Sequence, residues 1–573
     1  MARRLQLILI IVAMTVAACS RAPGPQKPTA AATSAPPPAN AMPQVPASLD
    51  DWARGAQLYD GLGRFHRKIS TSSAEAQQYF DQGMRLMWAF NHDESSRSFA
   101  RSAQLDSACA ICLWGVALTV GPNYNMPMMA EPRAKVAYES LQRALQLLDK
   151  ASPPEQALIE ALKARYPRAT ALDASNLDPV LRAYAAEMRA VAERFPGDSD
   201  IQTMYAESMM NVNAWKLWSR DGVPAPGTPT ILATLESVLA RDPSHPGANH
   251  YYVHAVEASP NPEKALAAAG RLGGMMPAAG HLVHMPAHIL QRVGRYEDAA
   301  EANRKASAAD QVYLGHSQPL DYYPMYVAHN FQFLGYSAAM EGRKAETLQA
   351  MKQMRTVFPE EAMLAMPGLD WYGAEPLLAM VRFGMWDEIL AEPRPSPALK
   401  ALTGGYLFAR VAALAAKNRP AEARQTLDEL DKVQASLTAD ATAGLNSARD
   451  VLTLAANIAR SRVEAAENDR EGAIKTLTEA VGQEDQLNYD EPADWFFPVR
   501  HLLGAELLKA GRGAQAEAVY REDLRRNPEN GWALFGLAQA LRASGKSGDA
   551  VPVDARFAKA WKGADVSLTA SAL

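Results

Sequence analysis

The sequence predicts an all-α protein, an array of short helix-turn-helix units. Three observations carry that expectation. Beyond an N-terminal leader, about 525 residues run on without a Gly/Ser-rich or charge-rich linker, far more than one hydrophobic core usually holds. They are rich in Ala, Leu, Glu and Arg, which are strong helix formers. Small residues and single aromatics also recur at offsets that suit a turn followed by a helix.

The leader comes first in the chain. Arg3 and Arg4 give a positive start, and Leu5 to Val16 form an apolar run too short for a permanent membrane span. The run ends in Val16-Ala17-Ala18-Cys19, which resembles the lipobox of bacterial lipoproteins. That resemblance implies that Cys19 is acylated as the first residue of the mature chain. It also implies a lipid-anchored, periplasm-facing protein, and Ser20 in place of Asp leans toward the outer membrane. An ordinary cleaved signal is the alternative. Residues 21–48 hold eight prolines among Ala, Ser, Thr and Gln and read as an extended tether. The expected organisation is a signal segment at 1–19, a tether at 20–48 and a helical array at 49–573. No later apolar stretch reaches spanning length. A net charge of −5 offers no basic footprint for nucleic acid.

Within the array the repeats are clear near 75–128, 247–350 and 445–565 and degenerate over 130–245. Near the start, Tyr79, Gly83, Phe99 and Ser107 fall at repeat offsets. "GRYEDAAEANRKA" sets Gly294, Tyr296, Ala299, Asn303 and Ala306 at turn-then-helix spacing, and "NDREGAIKTLTEA" does the same with Ala473, Leu477 and Ala480. Ala516 and Tyr520 are followed by Pro528, Trp532 and Gly536. Small residues at these places let two helices cross closely, and the aromatic fills the adjacent hole. These residues resemble the tetratricopeptide repeat family. The resemblance implies a right-handed superhelix whose A helices line a concave groove, the usual place for a protein or peptide partner. "FNHDE", "ANHYYVHAVEAS", "GHLVHMPAHILQRVGRY" and "YDEPADWFFPVR" are also similar to a group of large bacterial tetratricopeptide lipoproteins, most of them without an assigned activity.

Five of the eleven histidines fall in "NHYYVHAVE" and "GHLVHMPAH". On helices, His250, His254 and Glu257 are spaced i, i+4, i+7, and His281, His284 and His288 are spaced i, i+3, i+7, so each set shares one face. The intervening "NPEKALAAAGRL" reads as a B helix, which makes the two stretches consecutive A helices near 247–258 and 279–292. The next A helix, 323–340, adds His329 and Asn330, and the preceding one adds Glu207. Imidazole and carboxylate donors suit Zn, Ni, Cu or Fe, and the set has enough donors for one metal with spares or for two. Two considerations oppose this. The spacing is not the H-E-x-x-H metalloprotease pattern, and Pro286 is expected to kink its helix and turn His288 away from His281. A structural polar network beside Tyr251, Tyr252 and Tyr326 is the alternative, as are unrelated surface histidines.

Other stretches carry weaker expectations. Asn91 or His92 is expected to cap a helix. Cys109 and Cys112 form either a short-loop disulfide or a buried thiol pair; without a His at 113 they are not a haem attachment motif. The methionines of "PNYNMPMM" suit copper or simple packing. "YDEPADWFFPVR" offers either exposed aromatics beside acids for a peptide or sugar, or a helix start stapled by Trp495 and Phe497. The 214–228 loop is long enough to reach over the groove. His66, His245 and His501 have no assigned role. Two functions follow: a membrane-anchored scaffold with a protein or peptide in its groove, or a metal-dependent hydrolase or oxidase built on the histidine cluster.

Overall fold

Phe99 lies between two glycines, each sixteen residues away along the chain. Gly83 belongs to helix Ala74–Trp88, Phe99 to His92–Leu105 and Gly115 to Ala110–Thr119. In the computed structural model a Cβ on Gly83 would come within 2.7 Å of the Phe99 ring, and one on Gly115 within 2.5 Å. The same spacing returns near the C-terminus with Gly504, Tyr520 and Gly536, where either added Cβ would lie 2.3 Å from the Tyr520 ring. Both rings are fully buried. One aromatic thus fills the hole between two A helices that only glycine lets close in. Gly504→Ala is expected to lower stability by about 1–3 kcal/mol through overpacking. Gly482→Ala, in helix Arg470–Glu484 with open space around it, is expected to raise it by about 0.5–1 kcal/mol. Urea midpoints of the two variants check both signs.

The structure describes residues 44–573 apart from 318, 321 and 367. The signal segment, Cys19 and the tether up to residue 43 lie outside the described residues. Helix pairs succeed one another along the chain, including Ser199–Val212 with Thr228–Arg241 and Lys400–Ala416 with Pro420–Ala435. Where the repeat sequence is degenerate, over 130–245, the helices continue: Glu131–Gln146, Pro153–Leu162 and Leu177–Arg194 bury apolar stripes of the same kind. Among the described residues the named strands are limited to one hairpin, Thr442–Ala443 with Asn446–Ser447. None of the described helices is long and apolar enough to cross a membrane. The fold is all-α and of tetratricopeptide type.

Asn91 caps helix His92–Leu105, as its position suggests, by accepting from the Glu94 amide. Cys109 and Cys112 form a disulfide at the start of helix Ala110–Thr119. Trp495, Phe496 and Phe497 are buried, with the Trp495 and Phe497 rings 5.4 Å apart. They staple a helix start and offer no exposed aromatic surface, which removes the peptide- or sugar-reading alternative for these three rings. The methionines of 122–129 meet three environments: Met126 is half-buried, Met128 exposed and Met129 buried.

Among the described residues the hydrophobic core has two large parts and two small clusters. One part runs from Trp52 to Tyr326 and the other from Tyr296 to Val553. The segment between 310 and 345 is tied to both. Tyr313 donates to Glu94, and the Tyr322 hydroxyl accepts from the Asp93 amide. On the other side Trp532 donates to the Ala339 carbonyl, and Asp565 accepts from the Lys344 and Ala345 amides. Repeats from both ends therefore pack back on the middle, and the A-helix faces expected to line an open groove are covered there.

Candidate metal centre

Helix Pro246–Glu257 carries His250, His254 and Glu257. Pro246 stands in its first turn, where the missing N–H costs nothing, and His245 caps it by accepting from the Ala248 amide. The second stretch forms two short helices, Gly280–His284 and Pro286–Arg292. The expected kink at Pro286 does not send His288 away. Met285 between them keeps right-handed helical angles (φ −50°, ψ −34°), and its amide still bonds to the His281 carbonyl. The helix therefore loses one hydrogen bond without losing its direction, and His281 and His288 face the same cavity. Helix Tyr323–Met340 supplies His329.

The six imidazoles meet. His250 Nε2 is 3.1 Å from His281 Nε2, and His284 Nε2 is 2.7 Å from His288 Nε2. Two groups of three, His250/His254/His281 and His284/His288/His329, each have ring nitrogens within 4.8 Å of one another. A third group joins His254, Glu257, His288 and Glu491. All are buried except His329, which is half-buried.

The hydrogen bonds around them settle which nitrogen faces inward. His250 Nδ1 lies 2.6 Å from the Trp88 carbonyl, so it must donate. His284 Nδ1 donates to Asn303 Oδ1 at 2.7 Å, and Asn303 is oriented by its own bond to the Ala299 carbonyl. His329 Nδ1 donates to Gln332 Oε1, and Gln332 is oriented in turn by Glu375. His254 Nδ1 donates to Glu257 Oε1 at 2.9 Å. His288 Nδ1 sits 2.8 Å from Glu257 Oε2 and 3.0 Å from Glu491 Oε1. In these five rings Nδ1 faces outward, which leaves Nε2 on the inner side, as outer-layer partners arrange metal-binding histidines. The His254 Nε2 is buried with no partner at all.

Burial holds His254 down to about 3 and His329 to about 4, and it drives His250, His281 and His284 well below the usual imidazole range, with neighbouring histidines adding to the effect. These rings are neutral, the form that ligates. His288 is the exception. Burial would lower it too, but Glu491 and Glu257 together outweigh burial and hold it at about 10. A second proton on its Nε2 would point at His284 Nε2, 2.7 Å away. Without a cation of some kind, two lone pairs 2.7 Å apart would repel.

The rings open onto a chamber of about 330 Å³. His254, His281, His288 and His329 form one wall, Tyr322, Tyr326, Met325, Phe358 and Tyr372 the largest apolar surfaces, and Gln332, Asp490 and Glu491 add polar groups. Asn125 and Met126 reach it from the 122–129 loop, and Trp215 from the 214–228 loop, which does extend over the site. Trp215 takes a left-handed backbone angle (φ 61°), uncommon for a bulky residue, and its ring stacks edge-on to His254 at 5.8 Å. His281 also borders a second recess of about 660 Å³ lined by Tyr59, Asn91, Tyr313 and Tyr323.

Two candidates, Glu207 and Asn330, are not part of this cluster. Glu207 faces a separate small void beside Arg165, Tyr184 and Tyr251, where Asn211 donates to it and burial raises its carboxyl. It is on the expected helix, but that face turns toward the earlier repeats and their buried arginine. Asn330 donates to Asp310 Oδ2 at 2.7 Å, because the residue after His329 points about 100° around the helix. Asp310 also accepts from Tyr323. Burial holds the Asp310 carboxyl up at about 7. It therefore keeps its proton in the folded chain while the unfolded chain loses it near pH 4. Stability falls as pH rises through that window, by on the order of 4 kcal/mol. Asp310→Asn is expected to flatten the slope between pH 4 and 7 in urea titrations.

Glu491 had a weak signal in "YDEP", where it stood among acids of unassigned role. The Trp88 carbonyl had no signal, and Asn303 read as a repeat residue.

No known protein-family model matches the sequence, and no curated protein matches it. Solved structures that align with it include the human IFIT1 dimer with m7Gppp-AAAA, at 11% identity over 78% of this chain and 90% of that one, with a TM-score of 0.33. Yeast Tom70 aligns at 10% identity over 84% and 96%, with a TM-score of 0.30. The APC/C hetero-tetramer Cut9–Hcn1 aligns at 13% over 82% and 90%, with a TM-score of 0.26. Similarity at this level carries no argument about function. The repeat architecture stands on the helix pairs and glycine crossings described above.

Proposed function

We propose that this chain is a transition-metal protein, a metal-dependent hydrolase or oxidase acting on a small molecule in the histidine-walled chamber. The observation that carries this reading is the set of inward Nε2 atoms, held there by Nδ1 contacts to Trp88, Glu257, Glu491, Asn303 and Gln332. Imidazole nitrogen suits Zn, Ni, Cu or Fe. Two nitrogens bound at about 2.05 Å stand about 3.4 Å apart in a tetrahedron and about 2.9 Å apart in an octahedron, close to the spacings of 3.1 and 2.7 Å. The chamber's volume and its apolar lining suit one small organic molecule. Cys19 then anchors the protein by lipid in the cell envelope, facing the periplasm, a reading supported by the Val-Ala-Ala-Cys sequence.

The scaffold reading, with a protein or peptide segment in the groove, stands second because the histidine-bearing faces are buried. Elemental analysis of the full chain, purified in detergent without a histidine tag, tests the metal reading. Near-stoichiometric transition metal is expected. Its absence, even after incubation with Zn, Ni, Cu and Fe, would return the protein to the scaffold reading.

A further inference from the structure

The two histidine triads share no residue, and one repeat of the chain relates them. His250 and His254 form an i, i+4 pair on one A helix; His284 and His288 form the same pair 34 residues later. Each pair is completed by one imidazole from the next A helix along, His281 for the first and His329 for the second. The third group is of another kind. In it His254 and His288 meet Glu257 and Glu491 at hydrogen-bond and ion-pair distances of 2.8 to 3.0 Å, through the nitrogens that face outward. Those carboxylates orient the rings and leave both Nε2 atoms on the inner side.

We propose that the chamber holds two metal ions, one on each triad: His250/His254/His281 and His284/His288/His329. This rests on the metal reading above and adds the stoichiometry and donor set to it. Each ion has three imidazoles and no carboxylate, a donor set for copper or zinc and not for magnesium or calcium. Three protein ligands leave at least one position open. Two members of each triad line the chamber, so both open positions face the same space. The triads adjoin, with the His254 and His288 rings 5.6 Å apart and the His281 and His284 rings 6.0 Å apart, so one small molecule reaches both ions. Glu257 links them, with one carboxylate oxygen on His254 and the other on His288.

The test is the number of ions per chain in the untagged full-length protein, by mass spectrometry of bound zinc and copper and by the break point of a Co(II) titration. The parent is expected to hold two. His281→Ala and His329→Ala are each expected to hold one, and Glu257→Gln to weaken both sites by about 10–100-fold. One ion in the parent, lost in either histidine variant, overturns the two-ion proposal and leaves the metal reading standing. No ion in the parent overturns both. Circular dichroism establishes that each variant is folded, and if one is not, the parent's break point decides.

Discussion

Replacing His254 and His284 together with alanine is expected to abolish metal binding while leaving the helical array folded. The pair takes one member from each triad, and each removed ring is fully buried with its Nε2 turned inward. Losing one nitrogen from a three-nitrogen set costs more than losing an outer partner, which alone weakens binding by about 10–100-fold. A loss of at least about 1,000-fold at each site is therefore expected. The stability change separates this from a merely structural role. In metal-free buffer the double variant loses buried packing, including the His284 contact with Phe333 at 4.9 Å. In the parent, metal at about 1,000 times its dissociation constant adds about 4 kcal/mol that the variant lacks. Thermal melts of both proteins, with zinc and with a chelator, check this: only the parent's midpoint moves.

Asp523→Ala is expected to have the largest effect on stability away from the chamber, about 3–5 kcal/mol. Asp523 is fully buried in helix Gly513–Arg526, where it accepts from His501 Nε2 at 2.9 Å and from the Asn530 and Asn527 amides. Removing the carboxylate leaves a buried imidazole and a buried amide without their acceptor. Burial pushes the Asp523 carboxyl up, but His501 and the two amides outweigh it, so the group ends below its ordinary value. Its contribution is therefore complete above about pH 4 and is lost as the pH falls below that. Urea unfolding at pH 7 reads the full loss, and the difference between parent and variant is expected to shrink toward pH 3. An unchanged midpoint at pH 7 would show that the network carries no stability.

The two halves of the chamber differ in how far they could be read beforehand. Helices Pro246–Glu257 and Tyr323–Met340 lie where the spacing of apolar and small residues places them, and His250, His254, His281, His284, His288 and His329 cluster as their offsets imply. Glu207 and Asn330 share the helices but not the wall. Being on an A helix narrows a residue's direction only to a broad sector, and the closest neighbour then decides: Arg165 for one, Asp310 for the other. Glu491 comes from more than two hundred residues past His288, in a loop without periodicity. The Trp88 carbonyl that orients His250 is backbone, which every residue has, and so leaves no mark on the sequence.

Local periodicity was sufficient for the all-α repeat class, the helix pairs and the shared faces of the histidines, because a helix converts spacing into direction with a fixed angle per residue. The 34-residue return of the His-x-x-x-His pair is likewise present in the chain itself. Folding decided the rest. The packing of both ends of the array on its middle buried the expected groove and turned the imidazoles inward, away from water. That change is one of solvent, and the distance between a ring and water depends on segments hundreds of residues apart.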